Sequence, residues 1–308
     1  RPDPTISQYH EEEGAMFQNM KLGQKIAAGF SSLIIIALLL GGLAVISMKS
    51  VQSGTDKLAT ELIPCSTLTN NVKSNLMMAM YGIRGYVYTE DPQYLNESKE
   101  YISAVKSNVV DAKSLVETKK NLKGHSSSIA EIEKLIADYD NLLIESEKVV
   151  NQGKENLTNL AGLGEVFNQE MHNYLTNMSE EFDKEVNTGA GKTKLKERMQ
   201  KIAAANSIIE SVKDMRMTVW KAKAQRSTEL INENTTVFDD FKVKLASLRS
   251  ITRQERNIKQ IETCQKALDD YLVGMLALRD SWAALDANTA KRREIQTTVS
   301  TTSETLCT

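Results

Sequence analysis

Proline and aromatic side chains are scarce in this chain: four prolines and 6% aromatic residues across 308 positions. Packed α/β material is usually richer in both, and the Ala, Leu, Ser, Thr, Lys, Glu and Asn that fill the other positions favour helix. Three cysteines, Cys65, Cys264 and Cys307, are too few and too scattered for a disulfide framework or a zinc site. The three histidines, His10, His125 and His172, lie far apart, with neither an HExxH pattern nor Cys-His spacing. Metal ions, cofactors and His-based catalysis are therefore not expected. A net charge of -2 with no clustered basic excess argues against nucleic acid, because phosphate binding needs such a cluster. "GAGKT" (Gly189 to Thr193) lacks the glycine that a phosphate-binding loop needs five positions before Gly191, where Val186 stands, and helix rather than strand precedes it. No nucleophile-base constellation is present, so the chain does not read as an enzyme.

One long apolar run is present. "IAAGFSSLIIIALLLGGLAVISM", Ile26 to Met48, carries no charge and is flanked by Lys25 and Lys49. At ~1.5 Å per residue it is long enough for the ~30 Å hydrocarbon core, and it is longer than a secretory apolar region. It reads as an uncleaved membrane helix, whose orientation the nearly symmetric flanking lysines leave open. Met16 looks like a natural start, with residues 1–15 upstream of it and 16–25 before the span. The polar stretch that ends at Thr308 reads as the front part of a longer protein.

After the run, apolar residues recur every three or four positions, as in Val72, Leu76, Ala79, Ile83 and Tyr86. That is the seam of a helix packed against helices. Pro92 breaks the pattern at "TEDPQY" and suits the first turn of a new helix reaching about Asn121. "KGHSSS" (Lys123 to Ser128) is a turn, and a helix of about 60 residues, or ~90 Å, follows to Val186. "NTGAGKT" closes it. A further helix is interrupted at "NENTTVFDD" (Asn232 to Asp240), and a turn at "SITRQE" precedes a last long helix to about Leu306. The expected fold is all-α: an elongated rod of two stacked four-helix bundles, built from two long and four short helices, after a transmembrane helix. The expected path runs up in two pieces, down in one, up in two and down in one. It places the "KGHSSS" and "SITRQE" turns together at the far tip and "NTGAGKT" near the membrane. Cys65 and Cys307 then fall level, where they either pair or stay free.

Four arginines, Arg84, Arg216, Arg226 and Arg279, interrupt apolar faces. A buried guanidinium needs an anion or carbonyls, and Asp214 and Glu229 are the evident internal partners. Arg84 is surrounded instead by hydroxyls, from Tyr81, Tyr86, Tyr88 and Thr89, and an arginine fork with hydroxyl donors suits a small carboxylate. Arg84, Arg216, Arg226 and Arg279 with Tyr81, Tyr88 and Thr89 are the candidate ligand-binding residues.

"MFQNMKLGQKIAAGFSSLIIIALLL" resembles the start of bacterial methyl-accepting chemotaxis proteins, and "GYVYTEDPQYL" resembles the first half of their helical bimodular sensor domain. The resemblance implies a cytoplasmic amino terminus, an inner-membrane anchor at Ile26 to Met48, and a periplasmic ligand-binding domain over residues 49–308. It implies a small organic acid, such as a C4 dicarboxylate or acetate, as ligand, a homodimer through the first and fourth helices, and cytoplasmic signalling partners reached through a region absent here. Input to a sensor histidine kinase, or a membrane-anchored coiled coil without ligand, are the alternatives.

Overall fold

In a computed structural model, residues 21–306 are described, apart from the side chain of Lys120. The expectations for residues 1–20 and for Cys307 lie outside them. Helix α1, Leu22–Lys57, is 36 residues long and buries none of them. Its mean hydropathy reaches 2.5 over a window of spanning length. A helix that leaves Phe30, Leu33, Ile36 and Leu40 without protein cover is long and apolar enough to cross a bilayer. A π-helical turn, Leu58–Leu62, follows.

Residues 68–306 form a separate unit containing two four-helix bundles. Its elements are α2 (Ile63–Thr89), α3 (Pro92–Thr118), α4 (Ser126–Asn187), α5 (Lys192–Gln225), α6 (Thr228–Thr235), α7 (Val237–Ile251) and α8 (Glu255–Thr305), with a 3₁₀ turn at Lys120–His125. Among the described residues there is no strand. Helices α4 and α8, 62 and 51 residues long, run antiparallel through both bundles. The first bundle packs α2 and α3 against α4 up to about residue 153 and α8 from about residue 285. The second packs α5, α6 and α7 against the other halves. Its core joins Phe167, Met171 and Tyr174 of α4 to Ile208 and Val212 of α5, Phe241 of α7 and Leu268 of α8.

The two stacked bundles follow the expected architecture, but the chain path differs. Helices α2 and α3 are an antiparallel hairpin rather than two collinear pieces: Ser98 Oγ donates to the Ala79 carbonyl at 2.8 Å, and Gly85 lies against Tyr94. The break at "TEDPQY" reverses the chain because Glu90 turns left-handed (φ 61°) and Asp91 caps α3, accepting from the Gln93 N–H. Two glycines let the helices approach: a Cβ on Gly82 would lie 2.9 Å from the Tyr94 carbonyl oxygen. The second reversal is likewise misplaced by sequence. It falls at Arg226 and Ser227, where no proline or glycine marks it, and Asn232 to Asp240 holds only the minor break between α6 and α7. The turns after α4 and after α7 therefore share one tip, while the "KGHSSS" turn lies at the opposite end, the end where Lys73 pairs with Glu304 at 2.7 Å.

Three exposed ion pairs tie α3 to α4, with lysines on α3 and acids on α4: Lys99 to Glu147, Lys106 to Asp140 and Lys113 to Glu133, at 2.5 to 2.8 Å. Across the tip of the second bundle, Arg198 Nη2 donates to Glu185 at 2.6 Å, and the Glu185 side chain is 5% exposed. Cys65 is disulfide-bonded, and Cys264 is a buried thiol whose pKa burial pushes up to about 12.

Two outcomes test this packing. Gly82→Val should destabilise the chain by about 1–3 kcal/mol through overpacking, read as a lower thermal midpoint. An unshifted midpoint would restore the collinear path. The bond from Arg198 holds the Glu185 carboxyl below its usual 4.5, so its stabilisation is present above that pH and is lost as pH falls through the lowered value. Glu185→Gln should accordingly lower the melting temperature at neutral pH, with the gap to wild type closing in acid.

Candidate functional site

The last two turns of α2 carry Arg84 and Tyr88 on their outer side. Ile83, Tyr86 and Val87 point into the bundle, whereas Arg84 is exposed and Tyr81 and Tyr88 are 56% and 63% exposed. Arg84 thus sits outside the apolar seam rather than interrupting it, because the 3.6-residue period carries position 84 past the buried stripe. Its guanidinium lies 5.9 Å from the Tyr88 ring centre.

A cavity of about 140 Å³ opens beside it, lined by Tyr81, Arg84 and Tyr88 of α2, by Arg226, and by Asp286, Thr289, Arg292 and Arg293 of α8. Arg226 follows α5, and its guanidinium lies 5.2 Å from the Tyr88 ring centre. Burial presses its pKa down, with Asp286, Tyr88 and Glu90 opposing electrostatically.

Arg292 is the residue that sequence reasoning missed. It is 1% exposed and belongs to the α8 seam with Leu285, Asn288, Ile295 and Val299. Its Nη1 donates to Ser146 Oγ at 2.5 Å and its Nη2 to Thr289 Oγ1 at 2.9 Å, both neutral acceptors. Burial lowers its pKa, and yet a guanidinium does not deprotonate in proteins. Nearby, the hydroxyl of fully buried Tyr139 has no hydrogen-bond partner among the described residues. The signal was legible: "KRREI" places Arg292 on the three- and four-residue repeat of α8.

Four cationic groups and one carboxylate therefore line the cavity. Among the described residues, no acid comes within 4.0 Å of Arg84, Arg226, Arg292 or Arg293. A net positive charge held this close to buried surface favours an anion.

The other sequence candidates lie elsewhere. Thr89 is outside the lining and donates to the Gly85 carbonyl at 2.8 Å. Arg216 is in the second bundle, laid against Gly164, to whose carbonyl it donates at 3.4 Å. It precedes Arg226 by ten residues, so it sits ~15 Å along the helix from the cavity. Arg279 pairs with Asp280 at 2.7 Å and donates to Asn232. The internal partners expected for the arginines are not used: the Glu229 carboxylate accepts from Ser227 and Thr228. Among the described residues no group of His, Cys, Asp and Glu is arranged to hold a metal ion.

Long antiparallel helices in bundles, a helix ahead of them long and apolar enough to cross a membrane, and an arginine-lined cavity between helices define an all-helical bundle protein with a candidate membrane span. A family model described as a four helix bundle sensory module for signal transduction matches residues 19–196. The chain belongs to that family, the sensory module of methyl-accepting chemotaxis proteins. No curated protein matches the chain. Membership implies membrane association and signalling partners, and the family is one of sensors, not of catalysts.

Proposed function

We propose that the chain is the sensor region of a transmembrane chemoreceptor that binds a small organic acid in the cavity of its first bundle. One observation carries this reading: Arg84, Arg226, Arg292 and Arg293 converge on about 140 Å³ with no carboxylate in contact among the described residues. A buried guanidinium without an anion costs several kcal/mol, and an arriving carboxylate relieves that cost. Arg292 is the deep anchor, Arg84 and Arg226 close the cavity from the side, and the Tyr81 and Tyr88 hydroxyls are placed to donate. The C2–C4 acids fit the size of the space. Arg216, Arg279 and Thr89 are not part of this site.

The resemblance of the amino-terminal segment supports a cytoplasmic start, Ile26 to Met48 as the anchor, and the two bundles as a helical bimodular domain in the periplasm. Two such chains act as a homodimer. Ligand held between helices favours one packing arrangement, and the shift passes along helices toward the membrane.

Titration calorimetry of the full chain in lipid nanodiscs, against succinate, acetate and glycine, tests the site. Each charge-assisted bond is worth ~1.5–3 kcal/mol, so Arg84→Ala should weaken binding of succinate at least about tenfold with helix content intact. Unchanged affinity together with a lower melting temperature would mean that Arg84 is structural.

Asp286 gives a second measurement. Its carboxylate opposes a dianion across the cavity, so Asp286→Asn should tighten succinate binding several-fold. The same substitution weakening glycine binding, with succinate unaffected, would reassign the ligand to the amino acids, whose ammonium group Asp286 would hold.

A further inference from the structure

Arg226 belongs to both bundles. Its backbone closes α5 of the second bundle in a left-handed turn (φ 51°), with its own N–H donating to the Lys223 carbonyl at 3.2 Å and the Ser227 N–H to the Ala222 carbonyl at 3.0 Å. That is a helix-ending motif in which the left-handed position is normally glycine. Its side chain leaves the second bundle, and Nη1 donates to the Val87 carbonyl at 2.8 Å, in the last turn of α2 in the first. Carbonyls at the end of a helix lack partners within it and carry its negative dipole end, so a cation caps them well. Lys154 of α4 donates to the Glu90 carbonyl at 3.1 Å at the same terminus. Arg226 also lines two spaces at once: the arginine cavity and a smaller one of about 70 Å³ bounded by Val150, Gly153, Leu278 and Trp282.

The geometry points to Arg226 as the link through which occupancy of the first-bundle cavity reaches the second bundle. The inference rests on the anion-binding reading. A carboxylate is a stronger acceptor for a guanidinium than a neutral carbonyl, so an anion in the cavity competes with Val87 for Nη1. The side chain cannot follow the anion without loading the turn that carries it. A non-glycine residue in the left-handed region is held there by its surroundings, and the turn has the ordinary right-handed conformation as its alternative. Anion binding therefore releases the cap on α2 and loosens the end of α5 in one movement, giving a two-state element biased from the cavity.

Hydrogen exchange on the full chain in lipid nanodiscs, with succinate as probe and calorimetry on the same samples, tests this. In the wild type, succinate should speed exchange at the Arg226 and Ser227 amides and over the first turn of α6. Arg226→Gly keeps the left-handed turn, which glycine adopts freely, and removes the side chain with its guanidinium. This variant should bind succinate more weakly, through Arg84 and Arg292, and exchange around position 226 should no longer respond. Succinate binding to the wild type without any change at these amides overturns the link and leaves the binding site standing. So does an equal response in Arg226→Gly. Absence of succinate binding to the wild type overturns both.

Discussion

The packing of α4 against α8 is what every other helix of the two bundles depends on. Five shorter helices of 8 to 34 residues could not each bury an apolar face alone, and all of them lie on the two long ones. The seam changes character along its length. In the second bundle it is apolar, with Leu160 reaching Gly274 and the Cys264 thiol meeting the Phe167 carbonyl at 3.7 Å. Polar rungs interrupt it at Asn177 with Asn257 and at Ser146 with Asn288 and Arg292. Sliding one helix past the other by a turn, ~5.4 Å, would leave these buried groups unpaired, so the rungs hold the two bundles in register.

The sites of strain and charge coincide. Besides Gly189, the described residues with positive φ are Glu90 and Arg226, each just past the end of a helix and both at the junction between the bundles. Glycine would serve the backbone better at either position. A side chain is retained at a conformational cost of about 1–2 kcal/mol, and in both cases it is a charged one. The cavity lies beside them, and Tyr88 presents its ring to the guanidiniums of both Arg84 and Arg226.

Much of the fold was legible in the sequence because helix-helix packing writes itself as a short period. Val72, Leu76, Ala79, Ile83 and Tyr86 are buried as the repeat requires, and the membrane-length run stands out by its lack of charge. The reversals were less legible. A proline break looks the same in a kinked helix and in a hairpin, and the distinction lay in Gly82 and Gly85, which matter only through the helix that approaches them. The turn at Arg226 has no local marker, since the left-handed residue there is one whose type rarely adopts that conformation. For the site, Arg84, Tyr81, Tyr88 and Arg226 came together across helices distant in sequence. Arg216 shares the apolar-face spacing of the others but lies in the second bundle against Gly164, and Arg292 is marked only by its place on the α8 repeat.

The ladder between α3 and α4 keeps one sign of charge on each helix, at seven-residue steps along α3. Each rung is exposed and worth little by itself. Their arrangement discriminates nonetheless. If two copies of the chain met through α3, Lys99, Lys106 and Lys113 would face lysines, and a meeting through α4 would set Glu133, Asp140 and Glu147 against one another. The ladder that holds the first bundle together would thus set like charges against one another if a second copy met it on the same helix.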